Sequence, residues 1–236
     1  MYLGVDEAGK GPALGPMAAA AVIADPASLP ADVDDSKRIA PARREEMAAA
    51  LRGDPSVAVG VARVEPAEID RPDTDMNTLT VRGQARAVRD ALADRPVDVA
   101  EPVRVVADAG DTSEERFAER LARFVAEGGE SESSGETRRL PSVDVTAAHG
   151  ADGDDPVVGA ASVVAKTVRD AAMCEIDAAY PAYDDLGSGY PSDPATRAFL
   201  ADYVGDHGRL PDCARASWST CEDALGAAEQ SALDEF

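Results

Sequence analysis

Three short extended segments, followed by an alternation of helical and extended ones, confine this chain to a mixed α/β sheet. Tyr2-Leu3-Gly4-Val5-Asp6 reads as a first strand, broken by Gly9-Lys10-Gly11-Pro12. Met17 to Ala24 reads as a second strand that can pair back on it. Val57, Val59 and Val61 alternate with smaller residues, the period-two signal of a third. Val103 to Ala107 predicts a fourth, running into Asp108-Ala109-Gly110-Asp111, and Val143 to Thr146 a fifth. Helical spacing recurs in Val81, Ala85, Val88 and Leu92, in Phe117, Leu121, Phe124 and Val125, and from Ala161 through Ile176. Thr112-Ser113-Glu114-Glu115 has the form of a capped helix start, Gly128 to Arg139 reads as a surface loop, and a further helix is expected from Pro194 to about Val204.

A chain of 236 residues can bury an ordinary core without disulfide or metal staples. Its longest apolar run, Met17 to Ala24, falls far short of the roughly 20 residues of a membrane helix. Asp6-Glu7 arrives too early for a hydrophobic leader to precede it, so no secretory signal is expected. The charge is extreme: 45 acidic against 23 basic residues, a formal net charge of -22. Only Lys10, Lys37 and Lys166 are lysines; the other basic residues are arginines. Self-repulsion on this scale opposes compaction in dilute buffer, and molar salt screens it. The composition therefore points to a protein suited to high salt. Cys174, Cys213 and Cys221 form no C-x-x-C, and their odd number argues against a disulfide framework. A reducing cytosol, and hence a cytoplasmic protein, is expected. A monomer is the expected state.

Asp6-Glu7 and Asp108 stand at the ends of apolar strands, where sheet enzymes place their sites. Asp152 lies just ahead of the long helix, in His149-Gly150-Ala151-Asp152. Four carboxylates in one cleft repel one another and make physical sense around divalent cations. An all-oxygen set selects magnesium or manganese. Two such ions about 4 Å apart suit phosphodiester cleavage. Most of the other acids, Asp34-Asp35 and Asp184-Asp185 among them, read as solvated surface. Adjacent strand residues point to opposite faces, so Asp6 and Glu7 are expected to share a site only if the strand ends at Glu7. His149 and His207 are too few and too scattered for a zinc site.

Gly9-Lys10-Gly11 is a turn whose backbone lets a ligand approach closely, with a lysine suited to phosphate. The scarcity of lysine singles out all three. For Lys166 the structural alternative is a helix pair with Asp170 at i, i+4.

These motifs together resemble type 2 ribonuclease H (ribonuclease HII). The similarity runs through Gly4-Val5-Asp6-Glu7-Ala8-Gly9-Lys10-Gly11-Pro12, Asp35-Ser36-Lys37, Asp108-Ala109-Gly110-Asp111, His149-Gly150-Ala151-Asp152 and Ala160 to Asp170. Gly187 to Pro194 and Arg215-Ala216-Ser217-Trp218 are similar to the archaeal branch, and the matches extend from residue 4 to about 220. The resemblance implies an RNase H-like mixed β-sheet flanked by helices, with a small helical C-terminal extension. The corresponding domains are a catalytic domain over 1–186, the extension over 187–222 and an acidic tail over 223–236. It implies cleavage of RNA in RNA–DNA hybrids and 5′ of ribonucleotides embedded in duplex DNA, by two magnesium or manganese ions, leaving a 3′-hydroxyl and a 5′-phosphate. By motif, Asp6, Glu7, Asp108 and Asp152 are the catalytic, metal-binding acids. Asp170 is the rival for the fourth place and ranks lower, having Lys166 and Arg169 as ready partners. Gly9, Lys10, Gly11 and Tyr190 match the residues that read the RNA–DNA junction; the scarcity of lysine, rather than the resemblance, adds Lys37 and Lys166 as expected substrate contacts. The family usually has arginine at position 10; lysine keeps the charge and loses the fork.

Gln230, Leu233 and Phe236 have the spacing of a peptide that docks on PCNA-type sliding clamps. One helical turn would send Leu233 and Phe236 into a single apolar pocket.

Overall fold

The computed structural model describes residues 1–30, 33, 39–94, 102–128 and 140–234, the last four by their backbone alone. Five strands form one sheet: β1 (Tyr2–Ala8), β2 (Met17–Ala24), β3 (Ala58–Val64), β4 (Val103–Asp108) and β5 (Val143–Ala148). Their spatial order is β3-β2-β1-β4-β5. β1 pairs antiparallel with β2, and β1, β4 and β5 run parallel to one another. The mixed sheet is thus the architecture expected from the sequence.

The helices are α1 (Pro41–Gly53), α2 (Pro66–Ile69), α3 (Met76–Asp94), α4 (Glu114–Glu127), α5 (Ala151–Asp154), α6 (Pro156–Ala179), α7 (Pro194–His207) and α8 (Ser219–Asp234). α4 begins where its capping sequence dictates: the Ser113 hydroxyl accepts from the Arg116 amide at 3.3 Å. Phe117, Leu121 and Val125 then form its buried stripe. α1 has no counterpart in the sequence reading. Its buried side is only Met47, Ala48 and Leu51, and alanine leaves a faint periodic signal.

The chain divides into two compact units, and they are not consecutive in sequence. The first comprises residues 1–8, 18–63 and 76–168. Its sheet is covered on both sides, so β2, made of Met, Ala, Val and Ile alone, is buried along its whole length. Leu3, Val5 and Val105 join α3 and α4 in one core. Val22, Met47 and Leu51 join Val157, Ala161 and Val164 of α6 in the other. Burying a side chain such as Phe117 contributes about 1.5–3 kcal/mol.

The second unit comprises residues 9–17, 64–75 and 169–236. Its core gathers Leu14, Met173, Leu186, Phe199, Leu200 and Tyr203. Tyr180 and Tyr183 meet Phe199 edge-on, with ring centroids 5.3 and 5.5 Å apart. The sequence reading divided the chain at residue 186 and made a tail of everything beyond 222. In the structure, packing draws the Gly-rich turn at residue 9 and the second half of α6 into the C-terminal unit. α8 continues through that stretch to Asp234, and the loop expected over 128–139 lies outside the described residues apart from Gly128. All three cysteines are free thiols. Among the described residues, no helix is long and apolar enough to cross a membrane.

Candidate active site

Parallel pairing of β1 and β4 brings the first two acids together. The register matches Val5 with Ala107, so the next residues on the two strands are Asp6 and Asp108. β5 runs alongside β4 in register to its last residue, Asp108 opposite Ala148. The chain then turns through His149 and Gly150 into α5, where the Ala151 amide donates to Asp108 Oδ1 at 2.8 Å. Asp152, the next residue, is buried. Asp6, Glu7 and Asp108 thus lie at the carboxyl ends of two neighbouring parallel strands, and Asp152 follows the third by way of α5.

Asp6 and Glu7 depart from expectation. β1 does not end at Glu7 but pairs with β2 through Ala8, opposite Ala18. The two side chains therefore leave the strand on opposite faces. Asp6 receives the Ser162 hydroxyl from α6, and Glu7 receives Gln84 Nε2 from α3 at 2.6 Å. They still act on each other, because both stand at the same rim of the sheet. Burial first, then the Glu7 and Asp108 carboxylates, push the Asp6 carboxyl well above the usual range. The Ser162 hydroxyl and the Glu7 amide, which donates to Asp6 Oδ1 at 2.7 Å, oppose that shift. Glu7 also reaches toward β4: a methyl group on Gly110 would stand 3.0 Å from Glu7 Oε1, so this position favours glycine.

Gln84 and Ser162 escaped the sequence reading. Gln84 is fully buried in a helix otherwise read for its apolar stripe. From one nitrogen it donates both to Glu7 and to the Asp108 carbonyl, the latter at 3.0 Å. A buried polar residue on a core face was the available signal. Ser162 stands between Lys166, whose Nζ donates to its Oγ at 3.0 Å, and Asp6. Lys166 is thereby linked to the acid pocket through a hydroxyl.

A second network supports the β4 end. Asp111 is buried, and Arg116 Nη2 meets its carboxylate at 2.6 Å, with Arg120 at 3.5 Å. The Arg116 hydrogen bond is the main reason its carboxyl falls to about 2. His149 Nε2 lies 2.6 Å from the Asp111 carbonyl, and its Nδ1 lies 2.9 Å from Glu114. Those contacts hold His149 at the turn that leads to Asp152.

The acids make an all-oxygen donor set of the kind that magnesium and manganese select. The mutual repulsion that raises Asp6 is what a bound cation would relieve. Among the described residues, no three Asp, Glu, His or Cys side chains are gathered closely enough to hold an ion by themselves.

In the second unit, Gly9 has φ +85°, a conformation suited to glycine, and lies against Arg169. Arg169 is buried, donates from Nη2 to the Ser188 carbonyl at 2.9 Å, and stands 5.4 Å above the Tyr190 ring. Burial lowers the pKa of its guanidinium. Gly9 and Tyr190, both singled out from sequence, thus rest on the same arginine. Lys37 lies outside the described residues, as do the side chain of Leu233 and Phe236; Gln230 is exposed on α8.

A family model for Ribonuclease HII matches residues 3–221. The chain belongs to the ribonuclease HII family. It is 51% identical over 240 residues to the Ribonuclease HII of Haloarcula marismortui, an alignment covering 100% of each chain. Among solved structures it is similar to the ribonuclease H2 from Pyrococcus horikoshii OT3, with TM-score 0.77, 29% identity, and 97% and 98% of the two chains covered. It is also similar to the RNase HII of a PCNA:RNase HII complex from Archaeoglobus fulgidus, with TM-score 0.74, 31% identity, and 95% and 96% covered. The chain is accordingly a hydrolase of the nuclease class, an endoribonuclease acting on RNA in RNA–DNA hybrids.

Proposed function

We propose that this ribonuclease HII also cuts on the 5′ side of a single ribonucleotide embedded in duplex DNA, with Asp6, Glu7, Asp108 and Asp152 as its metal-binding catalytic acids. The observation that carries the reading is the parallel register that sets Asp6 and Asp108 side by side at the carboxyl end of β1 and β4. Water adds to the phosphorus, the bond from phosphorus to the 3′-oxygen breaks, and the products are a 3′-hydroxyl and a 5′-phosphate. Bound magnesium or manganese supplies Lewis acidity toward the phosphodiester and offsets the negative charge of the acids. The chain's own part is to hold the acids. Gln84 orients Glu7, Ser162 and the Glu7 amide orient Asp6, and the Ala151 amide orients Asp108. Asp152 is favoured over Asp170 because it follows Ala151 directly and shares the first unit with the other three acids.

The ribonucleotide is read by the Gly9-Lys10-Gly11 loop, whose handle is the 2′-hydroxyl that separates RNA from DNA. The half-exposed ring of Tyr190 lies against the following deoxyribose. Lys37 and Lys166 complete the basic set in a chain that carries few other lysines. The PCNA complex of the Archaeoglobus fulgidus relative supports a sliding clamp as partner of the tail through Gln230, Leu233 and Phe236. Deleting residues 230–236 should remove clamp binding and leave cleavage of a short duplex unchanged. Free thiols fit a reducing cytoplasm.

The deciding assay uses a DNA duplex containing one ribonucleotide, in concentrated potassium chloride, with magnesium and then manganese, and maps the cut. Asp108→Asn should abolish turnover and leave the circular-dichroism spectrum and unfolding midpoint intact. Full activity in that variant, or equal cleavage of an all-DNA duplex, would refute the reading.

A further inference from the structure

We infer that Arg215 is a positioning residue for substrate recognition: its guanidinium holds the carbonyls of the Gly9–Gly11 loop inward, so that the Lys10 and Gly11 amides face outward toward a nucleic-acid oxygen. The inference rests on the proposal that this loop reads the ribonucleotide.

Arg215 is 0% exposed, the largest fully buried side chain among the described residues. A buried guanidinium ordinarily faces a carboxylate. Here it faces peptide carbonyls: Nη2 donates to Gly9 at 2.7 Å, Nη1 to Lys10 at 3.0 Å, and Nε to Gly15 at 2.9 Å. The same short segment supplies two further donors. The Arg215 amide bonds the Ala13 carbonyl at 2.8 Å, and Trp218 Nε1 bonds the Gly11 carbonyl at 3.1 Å. The guanidinium carbon stands 5.1 Å above the Trp218 ring. Asp70 anchors the segment by accepting the Ala216 and Ser217 amides at 2.8 and 3.0 Å and the Ser217 hydroxyl at 2.7 Å.

The consequence follows from peptide geometry. A trans peptide directs its N–H opposite to its C=O, and no peptide bond described here is cis. The Gly9 carbonyl shares a peptide with the Lys10 amide, and the Lys10 carbonyl shares one with the Gly11 amide. With both carbonyls aimed at the guanidinium, both N–H groups are aimed away from it. Two successive amides pointing to one side form an anion-binding concavity. The cation behind them raises the local potential, which matters in a chain of net charge -22. Pro12 follows Gly11 and contributes no N–H, so the pair of amides ends there.

Arginine is suited to this task and lysine is not. A planar fork engages three carbonyls at once, whereas an ammonium on a flexible stem does not reproduce that geometry. Burial lowers the pKa of Arg215 to about 10, which leaves it cationic near neutral pH.

The test measures binding without turnover. In an Asp108→Asn background and concentrated potassium chloride, dissociation constants are determined for a duplex containing one ribonucleotide and for the same duplex in DNA alone. Arg215→Lys should lower the ratio of the all-DNA constant to the ribonucleotide constant on the order of 10-fold, as expected for loss of charged hydrogen bonds. Trp218→Phe, which keeps an aromatic face and removes the donor to Gly11, should lower it by a smaller factor. A purely structural role would shift the unfolding midpoint and leave the ratio of the folded protein unchanged. Should Arg215→Lys not fold, Trp218→Phe decides alone. A discriminating parent beside a folded variant that discriminates equally would overturn the role of Arg215. A parent that binds both duplexes equally would overturn the reading of the loop, and this inference with it.

Discussion

Gln84 donates from its side-chain nitrogen to the Glu7 carboxylate at 2.6 Å. The same nitrogen reaches the Asp108 carbonyl at 3.0 Å, so a single buried amide ties the acid of β1 to the backbone of β4. Replacing it by leucine keeps the volume and removes both bonds. Gln84→Leu should reduce cleavage by about 10–100-fold, the usual scale for a residue that orients a metal-binding group. Steady-state rates at several magnesium concentrations test this. Unchanged rates throughout would show that Glu7 needs no such support.

Asp6 is destabilising when ionised in the absence of a cation, because burial and two neighbouring carboxylates oppose its charge. The sign follows from its raised pKa. No penalty exists below the ordinary carboxylate range; it grows as pH rises from there toward the folded-state value and stays constant above that. Near neutral pH, magnesium or manganese should therefore raise the unfolding midpoint. Asp6→Asn should unfold later than the parent in chelator, gain less from added metal, and lose activity. Calorimetry with and without chelator checks this; a parent midpoint indifferent to both metals would contradict it.

Asp111 behaves in the opposite sense. Its carboxyl falls to about 2, chiefly through the hydrogen bond from Arg116. The stability it contributes is fully present above the ordinary carboxylate value of about 4, and is lost as pH falls from there toward 2. Asp111→Asn should cost about 1–3 kcal/mol near neutral pH. The variant should also lose less of its remaining stability on acidification, which denaturant titrations at neutral and acid pH would reveal. Parallel acid profiles would remove Asp111 from the account.

Salt should stabilise the fold. Raising potassium chloride from about 0.1 M to about 1 M shortens the Debye length from about 10 Å to about 3 Å, which screens a net charge of -22. The unfolding midpoint should climb across that range. A midpoint that falls would argue that pairing between opposite charges outweighs self-repulsion.

Much of the site was legible because its chemistry is written in residue types at strand ends. Asp6 and Asp108 each close an apolar run, and Ser113 marks the start of α4. Less was legible where a residue's role depends on what it meets. Gln84 sits within an apolar helical stripe, and only the packing of α3 on the sheet turns it toward Glu7. The length of β1 was underestimated because the small residues of β2 keep pairing up to Ala8. The compact units cut across the boundaries at 186 and 222 for a related reason. Packing joins segments that lie far apart in the chain, such as the Gly9 turn and Arg215.

The sequence by itself determined the sheet class, the acid types at its strand ends and the strongly negative charge, since local periodicity and charge depend on composition and order alone. Only tertiary structure decided which groups meet: Asp6 beside Asp108 through parallel pairing, and Arg215 beneath a loop some two hundred residues away. Contacts between distant segments are fixed by the closure of the whole chain around its cores, and no local pattern carries that information.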